Sequence, residues 1–457
     1  MTHKYSVSVA IIGGGIAGLT LANILEQAGI SYILWEAYHQ VAPPAGASVG
    51  IMPNGLRILD QIGVVDEVEQ YMVPHVDWEH RDGDGTLYCT WTAMRLFPKL
   101  LGYSAIFMER QRLLKILFDN IRDKTRVSTG KRVSLVENFD THALVTATDG
   151  TQVRCQFLAG ADGVHSVVRR AIEAACLSDL KFPEDYFATK FSCVYGISDP
   201  LPPSSHITAG RNFTIYQASS SLLLFTGRNG IIYWFIFSSL ENTTPYNEAK
   251  RYDNGDIKAA FARVAHVRIT PAVTFAEVFR NRRTAVMTPL EEGIALRWTA
   301  GRMALMGDAA HKMVPHAAMG ANQAMESAAC FASRLLELRE QLGGCSRTPD
   351  LPPLVSPQLV EACLEGYVQK RKARIEHVVK GASLSCRIQL KIGDAAQKHI
   401  ARLPSLRDEM WLEEVLKTLY KAEKIEPWDA ESERVRYFSE QAQMRCGSVK
   451  RALDSCC

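Results

Sequence analysis

The sequence predicts an α/β chain with a Rossmann-like dinucleotide-binding core, an inserted antiparallel β-sheet and a helical C-terminal region. Three observations predict it. Val7 to Glu36 reads as strand, glycine turn, helix and second strand, ending on an acid. From about Ala188 to Thr284 the chain is dense in short apolar runs broken by turn residues, as in antiparallel strands. From Gln358 onward it is charged and amphipathic at helical spacing.

The first stretch carries the most specific signal. Val7 to Ile12 is an apolar strand, and Gly13-Gly14-Gly15-Ile16-Ala17-Gly18 is a G-x-G-x-x-G turn. A helical pattern follows through Leu19, Ala22 and Leu25 to Gly29, and then the strand Tyr32 to Trp35. Gly13 permits the tight turn, Gly15 lets backbone approach a pyrophosphate, and Gly18 lets the helix pack on the strand. The helix start offers free N–H groups and a dipole to phosphates. Glu36, 18 residues after Gly18, stands where an acid accepts from ribose hydroxyls. Val7 to Leu25 is apolar enough to suggest a membrane span, but three consecutive glycines, Thr20 and Asn23 argue against one.

Ala37 to Gly50, with Pro43-Pro44-Ala45-Gly46-Ala47, reads as a loop over the first turn. Leu56, Ile58, Leu59 and Ile62 mark an amphipathic helix that Gly63 stops. Val76 to Tyr103 is strand-like, with a turn at Asp82-Gly83-Asp84-Gly85. Met108 to Leu117 begins a helix, and Val127 to Phe157 is a β-meander turning at Asp149-Gly150. Phe157 to Ala159 enters a second acidic turn, Gly160-Ala161-Asp162-Gly163. Met303 to Met306 enters a third, Gly307-Asp308, before a helix of small residues, Ala321 to Leu338. Gly343 to Pro357 is a proline-rich linker.

Bulk properties exclude several classes. At 457 residues the chain exceeds one ordinary core. A net charge of +3 is too small for a nucleic-acid binder. The first strand begins by residue 7, so a signal peptide is not expected, nor is a transmembrane segment. Eleven cysteines without a CxxC pair fit reduced thiols, not a disulfide framework or zinc site. These features predict a cytoplasmic protein, with loose membrane association left open. The terminal Cys456-Cys457 is read as a free tail, against prenylation. Oligomeric state is not legible.

The three turns need one explanation. A dehydrogenase would need only the first, whereas an extended cofactor such as FAD needs both ends held. Together, GGGIAG with Glu36, GADGVHSVVR and GDAAHKMVP resemble the class A flavoprotein monooxygenases, over roughly Val7 to Arg374. Ala47 to Gly55, Glu109-Arg110-Gln111 and Tyr233-Trp234-Phe235 are similar to the fungal paxilline-type epoxidases of indole-diterpene and meroterpenoid biosynthesis.

The resemblance implies a discontinuous FAD-binding domain of residues 1–75, 104–187 and 285–342, and a β-rich substrate domain of 76–103 and 188–284. A linker and helical region would fill 343–457. Glu36 would hold the ribose, Gly50 would lie against the cofactor, and Arg110 would contact the diphosphate, with Arg112 as the alternative. Asp162 would serve FAD and reduced nicotinamide handling, with Arg169 supporting its loop. Asp308 would bind the ribityl chain, and Ala321 would present its N–H to the flavin pyrimidine edge. His311 is read as a packing residue, and no metal-ligand spacing is present. Tyr216, with Tyr195 as runner-up, is the candidate hydroxyl near the reacting centre. Aromatic residues of the inserted sheet would wall the site, though alternation sends half of them to the core.

The implied reaction uses FAD, O2 and NADPH as transient electron donor. One oxygen atom passes through a flavin C4a-hydroperoxide into a hydrophobic secondary metabolite, with epoxidation of a prenyl-derived alkene as the leading reading. Hydroxylation of an aromatic or polyketide ring is the second reading. A flavin-binding protein with little oxygenase activity is the third, because Ala318 and Met319 replace the glycine and glutamine usual in the family. An alanine there is strained if φ is positive.

Overall fold

The computed structural model describes residues 4–43, 47–176, 186–343, 350–352, 354–429 and 431–445. Two sheets carry the architecture. In the first, Met303–Leu305, Gln152–Gly160, Lys4–Ile12 and Tyr32–Trp35 lie side by side and parallel. The antiparallel strands Val133–Asn138 and Ala143–Ala147 extend it, and Gly150 makes the expected turn at φ +80°. Helix Ile16–Gln27 packs against helix Gly320–Gln341. Small residues on the latter, Ala324, Ala328 and Ala332, are buried and allow that approach.

The second sheet has eight strands. Its centre is Phe187–Ser198, paired antiparallel with Ile232–Pro245 on one side and Arg282–Ile294 on the other. Ser220–Thr226, Arg211–Tyr216 and the hairpin Asp77–Asp82/Leu87–Trp91 complete one flank, and the short strand His311–Lys312 the other. One face buries Phe213, Leu222, Leu224 and Trp234 under helices Asn254–Ala262 and Phe275–Arg280. The opposite face carries Leu223, Phe235 and Tyr195 in register, cross-strand partners in turn.

Three elements differ from the sequence expectation. Val76 to Tyr103 is a strand hairpin only as far as Trp91; Ala93–Leu96 and Phe97–Leu101 are helical turns, because Pro98 can start a helix but cannot donate within a sheet. The inserted block contains two helices, each opened by a capping box at Asp253 and Thr274. Its last strand continues past residue 284 to Ile294, so residues 285–294 stand in the second sheet.

The C-terminal region is helical as expected. The long helix Pro357–Gln389 opens with Pro at its first position and Ser356 as cap. Helices Gly393–Arg402, Asp408–Tyr420 and Glu433–Arg445 follow. No helix among the described residues is long and apolar enough to cross a membrane. Pro44-Ala45-Gly46, residues 344–349 and 353 of the expected linker, and Cys456-Cys457 lie outside the described residues.

Candidate active site

The three turns meet because their strands are parallel neighbours. Ile12 pairs with Gly160, and Gly160 with Leu305, so the chain leaves all three strands at one edge. That edge, the carboxyl end of a parallel sheet, is where ligands of such folds bind. A cavity of about 720 Å³ opens there and runs to the face of the second sheet. Gly13, Gly15, Glu36, Gly50, Arg110, Asp162, Asp308, Ala321 and Tyr195 all line it.

The glycines have distinct roles. Gly13 adopts φ +107°, and a Cβ there would lie 2.3 Å from the Ala161 carbonyl oxygen. Gly18 faces away from the cavity, and its Cβ would stand 1.9 Å from the Gly13 oxygen, so it serves the strand–helix contact. Nothing lies within 4 Å of a Cβ on Gly15, which leaves backbone open to the cavity. Helices Ile16–Gln27 and Gly320–Gln341 both begin at the cavity, and neither has a side-chain cap. Two sets of helix-start N–H groups are thereby left for a ligand. This cradle fits a long dinucleotide carrying phosphates at one end and a polar ring edge at the other.

The acids differ in state. Glu36 Oε2 accepts from Gly14 N at 2.6 Å and Oε1 from Tyr38 N at 2.8 Å. Asp162 accepts from Ser166 Oγ at 2.5 Å and Val167 N at 2.7 Å, so it ties the start of helix Val167–Ala175. Burial pushes its carboxyl up. Burial would also raise Asp308, but the Lys312 ammonium, 2.5 Å away, outweighs it and holds that carboxyl below its ordinary value. Arg169 donates to the Ala309 and Val164 carbonyls and lies between Phe187 and Tyr246, bracing the second and third turns together. Arg112 stacks over Tyr71 and does not line the cavity.

The two tyrosines part company. Tyr195 lines the cavity beside Cys193, and its phenol is pushed up by burial. Tyr216 does not line it. Its strand lies two strands out from Phe235, and its hydroxyl meets His80 Nδ1 at 2.9 Å in a core with Trp91 and Leu403. Alternation gave Tyr216 the cavity-side face, but the C-terminal helices cover that end of the sheet.

Phe235 and Leu223, expected in the wall, are in it, and Phe107, Phe225, Phe237 and Leu290, which sequence reasoning missed, complete it. Phe107, from strand Ile106–Glu109, stacks on Phe225 at 4.2 Å, and Phe235 stacks on Phe237 at 5.9 Å. All four line the cavity with Leu223 and Leu290. Asn322 also went unread. It donates to Gly50 O and Ala318 O and accepts from Met52 N, locking the loop over the helix start. His311 is a packing residue, bonded to Ser327 Oγ at 3.1 Å and brought down to about 3 by burial.

Turns that cradle a dinucleotide on one sheet, facing an apolar wall on another, define an enzyme of the flavin-dinucleotide class. A model described as FAD binding domain matches residues 6–344. The chain is 36% identical over 405 residues to the FAD-dependent monooxygenase cdmI of Talaromyces verruculosus, covering 86% of this chain and 81% of that one. It is 32% identical over 396 residues to the FAD-dependent monooxygenase paxM of Penicillium paxilli, covering 86% and 80%. The chain belongs to the FAD-dependent monooxygenase family. In fold it is similar to Klebsiella pneumoniae HpxO complexed with FAD and uric acid, at TM-score 0.72 and 21% identity over 91% of this chain and 97% of that one. It is also similar to the p-nitrophenol 4-monooxygenase PnpA of Pseudomonas putida, at TM-score 0.73 and 17% identity over 92% and 100%.

Proposed function

We propose that this FAD-dependent monooxygenase uses NADPH and O2 to epoxidise a prenyl-derived alkene on a hydrophobic secondary metabolite. The observation that carries the reading is the wall of Phe107, Phe225, Phe235, Phe237, Leu223 and Leu290, six apolar side chains along the cavity. Such a wall suits a neutral hydrocarbon group and keeps water from the reacting atoms.

Bound FAD supplies the electron transfer from NADPH and the activation of O2. The chain's residues do the rest. Gly13 and Gly15 leave backbone room for the diphosphate, with Arg110 as its cation. Glu36 would hold the ribose, and Asp308 the ribityl hydroxyls. The Ala321 N–H would serve the pyrimidine edge, from a helix start free of any side-chain cap. Asp162, tied to its helix, holds the second turn in shape beside the cofactor. Tyr195 is the candidate hydroxyl for orienting the substrate or moving a proton, since it is the tyrosine of the wall.

Incubation with a panel of prenylated and aromatic compounds, reading NADPH oxidation and product mass together, tests the reading. One added oxygen at a prenyl alkene, with matched NADPH consumption, is expected. Oxygen on an aromatic ring would instead identify a hydroxylase. A yellow protein inert to the whole panel would favour the flavin binder suggested by Ala318 and Met319.

A further inference from the structure

The part of the cavity beside the Gly320–Gln341 helix start is lined by Pro315, Ala318, Ala321 and Ala324, so it is poor in polar side chains. One charged pair is nevertheless held nearby. Lys312 Nζ lies 2.5 Å from Asp308 Oδ2, and both side chains line the cavity with Tyr195 and Arg110. Lys312 sits on the short strand that pairs with Gly293, joining the third turn to the second sheet.

The cations of the cavity divide into two groups. Lys131 and Arg132 follow the backbone at Glu36, where Lys131 N donates to the Glu36 carbonyl, and the Lys131 ammonium is already held by Asp149 and Thr151. Lys312 and Arg110 form the other group, near Asp308 and Tyr195. Burial opposes charge on Lys312, and Asp308 more than restores it, with Glu291 adding to Asp308 and Arg110 opposing. Lys312 therefore stays an ammonium across the physiological range.

We propose that Lys312 is a positioning residue for charge: fixed by Asp308, its ammonium favours the reduced form of the bound cofactor and raises the reduction potential. The inference rests on FAD lying along this cavity. A hydride brings the flavin two electrons and one proton, leaving one negative charge on the ring unless a second proton follows. A fixed cation in a partly buried site stabilises that charge more than one in water. With Arg110 given to the diphosphate and only apolar side chains at the helix start, Lys312 is the side chain placed to supply it.

The test is the midpoint potential of bound FAD, measured by equilibrium reduction against a dye, with FAD content recorded for each variant. Lys312→Met is expected to shift the equilibrium toward oxidised flavin about tenfold, or about 30 mV for a two-electron couple. Lys312→Arg is expected to stay within about threefold of the parent, because it keeps the charge. A Lys312→Met protein that retains FAD at the parental potential overturns the inference, as does an arginine variant equal to the methionine one. Should Lys312→Met lose its flavin, Lys312→Gln, which removes the charge but keeps a hydrogen-bond donor for Asp308, takes its place and should show the same fall. Loss of FAD from both would make Lys312 a binding residue and overturn the role in potential. A colourless parent protein would sink the FAD reading itself, which is a separate outcome.

Discussion

Ala318 adopts φ +51° and ψ +28°, a left-handed conformation that crowds its β-carbon. The Asn322 side chain, donating to the Ala318 carbonyl at 2.6 Å, helps hold it there. Ala318→Gly is therefore expected to relieve strain and stabilise the protein by about 0.5–1 kcal/mol, partly offset by the freer unfolded chain. A thermal melt with FAD bound would check this; a lower midpoint would show that the Ala318 methyl packs better than its backbone is strained. Asp308→Ala is expected to weaken FAD retention, measured by the flavin content of purified protein. Equal content in parent and variant would remove Asp308 from the binding role. At this scale the sequence was most informative where a residue type had one physical use. Gly13, Gly18 and Ala318 were legible because their backbone demands are narrow. Lys312 and Asn322 were not, because lysine and asparagine suit many surfaces and only the folded loop reveals their partners.

Among the elements, strand alternation predicted that half of the inserted sheet's aromatics would face a core, and Phe213 and Trp234 do. It could not say which end of the exposed face would be covered, since that depends on helices more than 150 residues away. The consequence for Tyr195 and Tyr216 is direct. Tyr195→Phe is expected to lower the fraction of NADPH consumption coupled to product. Tyr216→Phe, outside the cavity lining, should leave coupling unchanged while costing about 1 kcal/mol of stability through the lost bond to His80. Equal coupling in both variants would remove Tyr195 from the chemistry. Helix Gly320–Gln341 is anchored by Glu326, which is fully buried between Arg371 and Arg374 and also accepts from Asn54. Burial alone would raise the Glu326 carboxyl, but the two guanidinium groups outweigh it and hold it far below its ordinary value. A depressed folded value means this contribution is complete above the ordinary glutamate range and is lost as pH falls toward the folded value. Glu326→Gln should cost about 3–5 kcal/mol in urea unfolding at neutral pH and flatten the acid limb of the stability curve. A variant with the parental acid limb would show that other carboxylates govern it.

For the molecule as a whole, the order of the sheets and the meeting of the three turns were legible. Parallel strands must deliver their ends to one edge, and the turn sequences named those strands. The role of the C-terminal region was not legible, because its helices carry ordinary amphipathic patterns. In the fold this region braces helix Pro53–Gln61. Buried Arg57 donates to the Ala422 and Glu423 carbonyls, and Gln61 exchanges two hydrogen bonds with Ile425. Ending the chain after Tyr420 should strand both side chains and lower the thermal midpoint by several degrees; an unchanged midpoint would show the segment to be dispensable. The long helix Pro357–Gln389 has 33 residues and so spans about 50 Å. Near its middle Arg371 is fixed to Glu326, while near its end Arg387 forks onto Glu292 and covers Phe191 of the second sheet. One inserted residue between those points would turn Arg387 by about 100°. The helix thus acts as a gauge that sets both rotation and distance between the cofactor side and the substrate wall. A chimaera that borrows the wall from a relative must borrow this rod with it, whereas exchanges confined to helices Asn254–Ala262 and Phe275–Arg280, on the far face, leave the gauge intact.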